Sequence, residues 1–450
     1  MGTKYPHAKV APLAKAKVAC SWPLWGPRRG ASHDGVLKYP HAKVAPPAKA
    51  KVACSWPLWG PRRGASHDGV LKRRREKPAL AGLPGYLLLL VILLLWLFQE
   101  LRPGLPPPSP QAEAGGVEVY FMPREGEAAK ARLIALMDGA KESLDGAFYE
   151  FRDLEIAKAL LRAKKRGVRI RLYGESDYRN DFRRYLVGGA LGQQGETPRV
   201  PQAALRERIR PLSLDCEEIV GIPVCFDERE GFMHHKFLVV DGQTVWTGST
   251  NMTWNAFARN NENSLLLPSS ILAQGYAREF QALFTGTKEG LGTPITFSLE
   301  GGVPAEGTAY FSPKGGALGR KALLERLRAS QQEILVAAFV LTDPEVVKAL
   351  VQAQERGVRV QVLLESRNLK DSREEDLLRA GVEVRKDGNP YTLHHKVMLI
   401  DSTFVITGSY NFTARAWQVN NENLLILQSP ALAERYREEI LRLWQEGQPL

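Results

Sequence analysis

Cysteine is scarce in this chain, and so is net charge outside one short tract. Four cysteines in 450 residues, with no CxxC spacing among them, exclude a disulfide-stapled miniprotein and a zinc ribbon. A composition of 44% hydrophobic and 24% charged residues lacks the marks of a wholly disordered chain or a polytopic membrane protein. The net charge of +12 and pI near 9.5 suggest a nucleic-acid binder at first sight. Residues 1–77, however, hold 17 Lys+Arg against 3 Asp+Glu, a balance of +14, so residues 78–450 sum to −2. The basicity belongs to the N-terminal tract, and the body lacks the cationic excess that recognition of a phosphate backbone needs. A length of 450 residues is enough for two or three domains.

That tract is a duplication. Residues 4–37 recur as residues 38–71 with one change, Leu13 to Pro47. Neither copy has a 3.6-residue apolar rhythm, Pro and Gly break every run, and the near-identity speaks for a recent tandem event rather than a solenoid. Residues 1–77 are therefore expected to be disordered or not natively translated, and Cys20, Cys54 and the tract's histidines carry no metal site. The basic run Lys72–Lys77 then precedes Ala79–Phe98, which has no charge, and Tyr86–Phe98 is unbroken apolar sequence. Residues 78–98 read as a single uncleaved signal anchor, a membrane-spanning helix with its N-terminus in the cytoplasm and the body outside it. In the competing reading, a cleaved signal peptide, the best small-residue site (Ala112 to Ala114) lies too far beyond the apolar end. Residues 99–116, rich in proline, read as an extended tether.

The body repeats itself more distantly. Val119–Pro123 matches Ala309–Pro313 and Gly167–Arg169 matches Gly357–Arg359 at an offset of 190, whereas Gly221 and His234 match Gly381 and His394 at 160. The first half therefore carries a 30-residue insertion between Ser176 and Gly221. Strand-like runs alternate with amphipathic ones, over 145–151, 154–166 and 168–173 in the first half and 334–341, 344–355 and 358–364 in the second. The expectation is an α/β fold with largely parallel sheets between helices, in two tandem homologous domains, 117–300 and 301–450, packed as a pseudo-dimer.

Residues 78–450 contain only four histidines, all in two HHK triplets: His234, His235, Lys236 and His394, His395, Lys396. The spacing that follows is the same in both. Asp241, Gly248, Ser249, Asn251 and Glu262 follow the first triplet as Asp401, Gly408, Ser409, Asn411 and Glu422 follow the second. A lone HxK means little, but seven positions at fixed spacing, present twice, mark a site. The triplets lead into apolar strand runs, and residues i and i+2 of a strand share a face. His234 and Lys236 then point together, as do His394 and Lys396, while His235 and His395 face away and read as satisfied surface residues. Glycine in Gly-Ser-x-Asn lets backbone and small polar groups close on an anion. Two imidazoles, two ammoniums, two carboxamides and two hydroxyls suit a pentacoordinate phosphoryl group without a metal. Phosphodiesters are the natural substrate class.

On these residues the body, from about Val117 to Leu450, resembles the phospholipase D superfamily, whose mark is a duplicated HxKxxxxDxxxxxxGSxN motif. Both copies are complete. The resemblance implies two α-β-α sandwich domains with both motifs in one cleft at their interface, and a two-step displacement through a covalent phosphohistidine, without a cofactor. It implies that one of His234 and His394 is the nucleophile and the other the general acid, then base. Lys236, Lys396, Asn251 and Asn411 would hold the phosphate oxygens, and Ser249 and Ser409 complete the polar lining. Glu262 and Glu422 resemble the acidic residues that orient the histidines, while Asp241 and Asp401 look structural, buried near the strand ends. Cys216 and Cys225 are either ordinary buried thiols or, on an exported body, a disulfide.

Within the superfamily the substrate stays open. A membrane-anchored phospholipase D-type hydrolase or transphosphatidylase suits the anchor, the short tether and the near-neutral body. A metal-independent non-specific endonuclease is the alternative, but residues 177–218 hold seven Lys+Arg and seven Asp+Glu and supply no basic groove. The expected partners are phospholipid and membrane, with nucleic acid only under the alternative, and the chain is expected to act as a monomeric pseudo-dimer.

Overall fold

A computed structural model of the chain describes residues 116–287 and 290–450. The tandem repeat, the basic run, the apolar segment 78–98 and residues 99–115 of the tether lie outside the described residues. Among the described residues no helix is long and apolar enough to cross a membrane.

Two mixed sheets of nine strands carry the body. The first runs Glu118–Met122, Glu262–Leu267, Thr244–Gly248, Lys236–Val240, Ser143–Phe148, Arg169–Glu175, Ile222–Asp227, Cys216–Ile219, Ile209–Pro211. The second runs Ile295–Leu299, Ala305–Ser312, Glu422–Gln428, Phe404–Gly408, Lys396–Ile400, Glu333–Ala338, Arg359–Leu364, Glu383–Lys386, Gln448–Pro449. The largely parallel sheet expected from the alternation is corrected here. Within these two sheets only the pairings that involve a crossover helix are parallel: Arg169–Glu175 with its two neighbours, and Arg359–Leu364 with its two. The strands after each HHK triplet instead turn back at once, through Asp241 and Gly242 or Asp401 and Ser402, all at positive φ, and such tight turns dictate antiparallel neighbours.

The helices expected at 154–166 and 344–355 form as Leu154–Lys165 and Pro344–Glu355. Asp153 caps the first by accepting from the amides of Glu155 and Ile156, and Asp343 caps the second, which has Pro344 in its first turn. Both sheets are covered on two faces, and the period-two pattern of the motif strands sorts accordingly. Phe237 and Val239, like Val397 and Leu399, enter a core shared by both halves, together with Tyr276 of helix Ser270–Phe284 and Tyr436 of helix Pro430–Glu446. Leu238 and Val240 enter a core confined to the first half, Met398 and Ile400 one confined to the second. The boundary expected at residue 300 falls earlier, because Ile295–Leu299 pairs with Ala305–Ser312 in the second sheet.

The segment that holds the insertion builds helices Arg179–Ala190 and Gln202–Arg208, strand Cys216–Ile219 and the edge strand Ile209–Pro211. Cys216 lies opposite Cys225 on the adjacent strand, and a disulfide joins them.

Candidate active site

Two short backbone bridges between the halves place both motifs. Met233 pairs with Asn421, and Asn261 with Leu393. The His234 amide donates to the Asn421 carbonyl at 2.9 Å, and the His394 amide to the Asn261 carbonyl at 2.9 Å. Each histidine is thereby fixed two residues before its strand, on a carbonyl that directly precedes the glutamate of the opposite half.

The side chains cross over in the same way. His234 Nδ1 lies 2.7 Å from Glu422 Oε2, and His394 Nδ1 lies 2.8 Å from Glu262 Oε2. A carboxylate only accepts, so each ring turns an Nδ1–H to its glutamate and leaves Nε2 on the side away from it. The remaining carboxylate oxygens are held too, Glu262 by Asn260 at 3.4 Å and Glu422 by Asn420 at 3.3 Å. Lys236 Nζ donates to the His234 carbonyl at 2.7 Å and Lys396 Nζ to the His394 carbonyl at 2.9 Å, bringing each ammonium beside its histidine. Under each pair lies one aromatic ring. Tyr149 meets His234 edge-on and takes Lys236 on its face; Phe339 does the same for His394 and Lys396. His234, Lys236, His394 and Lys396 are each at most 4% exposed, so their charges act in a water-poor setting where they count for more.

Several expected roles change. Ser249 Oγ donates to Glu262 at 2.7 Å and accepts from the Asn263 amide, so it stands behind the carboxylate rather than in a phosphate lining. Ser409 likewise accepts from the Asn423 amide. Gly248 and Gly408 serve a close approach of backbones, not of an anion. A Cβ at either would stand 2.2 Å from the carbonyl of Asn263 or Asn423, and both have positive φ. Asp241 and Asp401 are half-buried rather than buried, and each carboxylate accepts three backbone amides of the turn before the central strand, 141–143 and 331–333. Asn251 and Asn411 are 8% and 5% exposed.

His235 and His395 are not surface residues. Both are buried between the halves, where His235 reaches Glu279 at 3.2 Å and Asn423 at 3.4 Å, and His395 meets Asn263 at 3.0 Å. Asn263 also accepts from Thr407 and Tyr436 of the other half, and Asn423 donates to Thr247 and Tyr276. Sequence reasoning missed this pair, although a signal was present: Asn260–Asn263 and Asn420–Asn423 both read NNEN.

Also missed were two buried carboxyl pairs behind the motifs. Glu175 accepts from the Met233 amide at 2.9 Å and Glu365 from the Leu393 amide at 2.6 Å. Their partners are Asp227 and Asp387, and one arginine serves each pair but on opposite members. Arg229 binds Asp227 and also Asn421, whereas Arg367 binds Glu365. The carboxyls left without a guanidinium bond shift upward. Burial, with Asp227 nearby, pushes Glu175 to about 7, and burial with Glu365 nearby pushes Asp387 to about 6. Among the described residues no group of three His, Cys, Asp or Glu converges in a way that could hold a metal ion.

The chain is similar to known proteins. A family model described as "Cardiolipin synthase, PLD-like domain" matches residues 133–284 and 323–444. Phospholipase D of Rickettsia conorii is 38% identical over 133 residues, which cover 29% of this chain and 66% of that protein. Mitochondrial cardiolipin hydrolase of Xenopus tropicalis is 37% identical over 129 residues, covering 28% and 61%. The chain thus spans just under two thirds of the length of these relatives. Among solved structures, phosphatidylserine synthase of Haemophilus influenzae shares the fold, with a TM-score of 0.53 at 15% identity over 75% of this chain and 88% of that one.

Proposed function

The chain belongs to the PLD-like family, and from that premise and the crossed pairs we propose that it is a phospholipase D-type phosphodiesterase working through a covalent phosphohistidine. One observation carries the reading: two imidazoles, each with Nδ1 held by the other half's buried glutamate, each beside a lysine. In the first step Nε2 of His234 forms a bond to phosphorus and the bond to the leaving alkoxide breaks. His394, as imidazolium stabilised by Glu262, gives that alkoxide its proton. In the second step His394 takes a proton from water, the water oxygen bonds phosphorus, and the P–N bond breaks. An alcohol in place of water gives transphosphatidylation. Lys236 and Lys396, with Asn251 and Asn411, would neutralise the phosphoryl oxygens.

Phospholipid as substrate is supported by relatives named phospholipase D and mitochondrial cardiolipin hydrolase, and by a body of net charge −2 over residues 78–450. Attachment to a membrane, with the body outside the cytoplasm, rests on the basic run and apolar segment in the sequence. The full-length chain in detergent, assayed with EDTA on phospholipid micelles and on plasmid DNA, tests the proposal. Phosphatidic acid release with intact plasmid is expected. Nicked plasmid with untouched lipid would move the chain to the nuclease alternative.

A further inference from the structure

The cleft is pseudo-symmetric in its chemistry but not at its rim. We propose that Arg259, clamped between the rings of Trp254 and Tyr391, is a specificity-determining subsite for a second phosphate of the substrate, on the flank of His394. This deepens the phospholipase reading and rests on it.

Arg259 closes the short helix Trp254–Ala258. Its guanidinium carbon lies 4.4 Å from the centre of the Trp254 ring and 4.9 Å from that of Tyr391, which comes from the other half. Two aromatic rings thus hold the cation in place. Its one side-chain hydrogen bond goes to a neutral group, Asn255 Oδ1, at 3.2 Å, and among the described residues it makes no ion pair. A guanidinium has five N–H donors in a flat fork, and contact with two aromatic rings uses up none of them. Edge-on, two-point contact is how a guanidinium takes a phosphate, whereas a planar base would need a face.

The stack also stands beside the chemistry. Arg259 is three residues before Glu262 and Tyr391 three before His394, and three residues of chain reach at most about 10 Å. Asn389 ties the two sides together by donating to the Arg259 carbonyl at 3.0 Å and to Asn261 at 2.7 Å.

The opposite rim lacks all three parts. At the offset of 160, Ala414, Val419 and Gly231 stand where Trp254, Arg259 and Tyr391 would be. The cations there are matched, Arg415 facing Glu230 and Arg179 bound to Glu228. A substrate with phosphates on both sides of a short alcohol bridge would therefore bind in one direction, scissile phosphate between the histidines and second phosphate on Arg259.

The test compares a lipid with two phosphates, cardiolipin, with one that has a single phosphate, phosphatidylglycerol, in the same detergent micelles. Arg259→Gln in the full chain is expected to lower kcat/KM on cardiolipin about tenfold, through KM, and to leave phosphatidylglycerol within about twofold. Arg415→Gln should leave the ratio between the lipids unchanged. Equal losses on both lipids, or an unchanged ratio in Arg259→Gln, would overturn the inference. If the wild-type chain cleaves neither lipid, the phospholipase reading fails on its own, and calorimetry still decides the subsite. Glycerol 1,3-bisphosphate should then bind more tightly than glycerol 1-phosphate, by a margin that Arg259→Gln removes. Absence of that margin overturns the subsite as well.

Discussion

His234 is bonded not to the glutamate of its own repeat but to Glu422 of the other, at 2.7 Å, and His394 answers with Glu262 at 2.8 Å. Neither half therefore contains a complete catalytic pair. A histidine whose Nδ1 lacks its carboxylate loses its tautomer and its orientation together. Glu422→Gln and Glu262→Gln should each lower kcat by roughly 100-fold with little change in KM, measured on a soluble phosphodiester. If either substitution raised KM and spared kcat, the glutamates would belong to substrate binding instead.

The two histidines differ in their aromatic neighbours, Tyr149 against Phe339, and His234 adjoins the insertion through Tyr149 packed on Tyr178. We assign His234 as nucleophile. His394→Asn, given a nitrophenyl phosphodiester whose leaving group needs no proton, should accumulate a phosphoenzyme that mass spectrometry maps to His234. An adduct on His394 in the reciprocal His234→Asn variant would reverse the roles.

Asn263 sits in the shared interior, bonded to Thr407, Tyr436 and His395 of the other half. Removing its amide leaves several buried groups without partners, which is more costly than the bonds themselves. Asn263→Ala should destabilise the chain by about 2–4 kcal/mol in urea unfolding. A cost under about 0.5 kcal/mol would mean that water replaces the amide.

Glu175 and Asp387 give stability a definite pH dependence. Both carboxyls have folded values, about 7 and about 6, above their ordinary ones, so the folded state holds more protons in between. Their contribution is fully present below the unfolded values and is lost as pH rises through the folded ones. Stability should fall between pH 5 and 8, and Glu175→Gln, which is buried, should flatten that slope by up to roughly 3 kcal/mol. Chemical denaturation at pH 5, 6.5 and 8 checks it, and an unchanged slope in the variant would contradict the assignment.

The bond between Cys216 and Cys225 closes a short loop, with a sequence separation of 9. Loop-closure entropy gives such a bond about 2–3 kcal/mol. Replacing both cysteines by serine should lower the melting temperature of the oxidised chain, with no further effect of reductant. Free thiols at both positions in non-reducing mass spectrometry of native protein would show that the bond does not form where the protein works.

Much of this molecule is legible in the order of its residues. The duplicated spacing from His234 to Glu262 and from His394 to Glu422 names the reacting groups, because strand periodicity alone sets His234 beside Lys236 and turns His235 away. The flanking helices are equally readable, since Asp153 and Asp343 are local caps that act on their own next turn. Local pattern reaches only as far as neighbouring residues. It cannot say that the sheets are mainly antiparallel, which depends on which strands turn back and which cross over. Nor can it show that His235 faces the other half rather than water, or that Glu422 serves His234. Those depend on how two halves dock through Met233 with Asn421 and Asn261 with Leu393. Contacts between residues more than a hundred positions apart exist only once the shared core of both sheets has formed. The sequence determined the chemistry of each half, and the burial of one apolar face against another decided which half completes which.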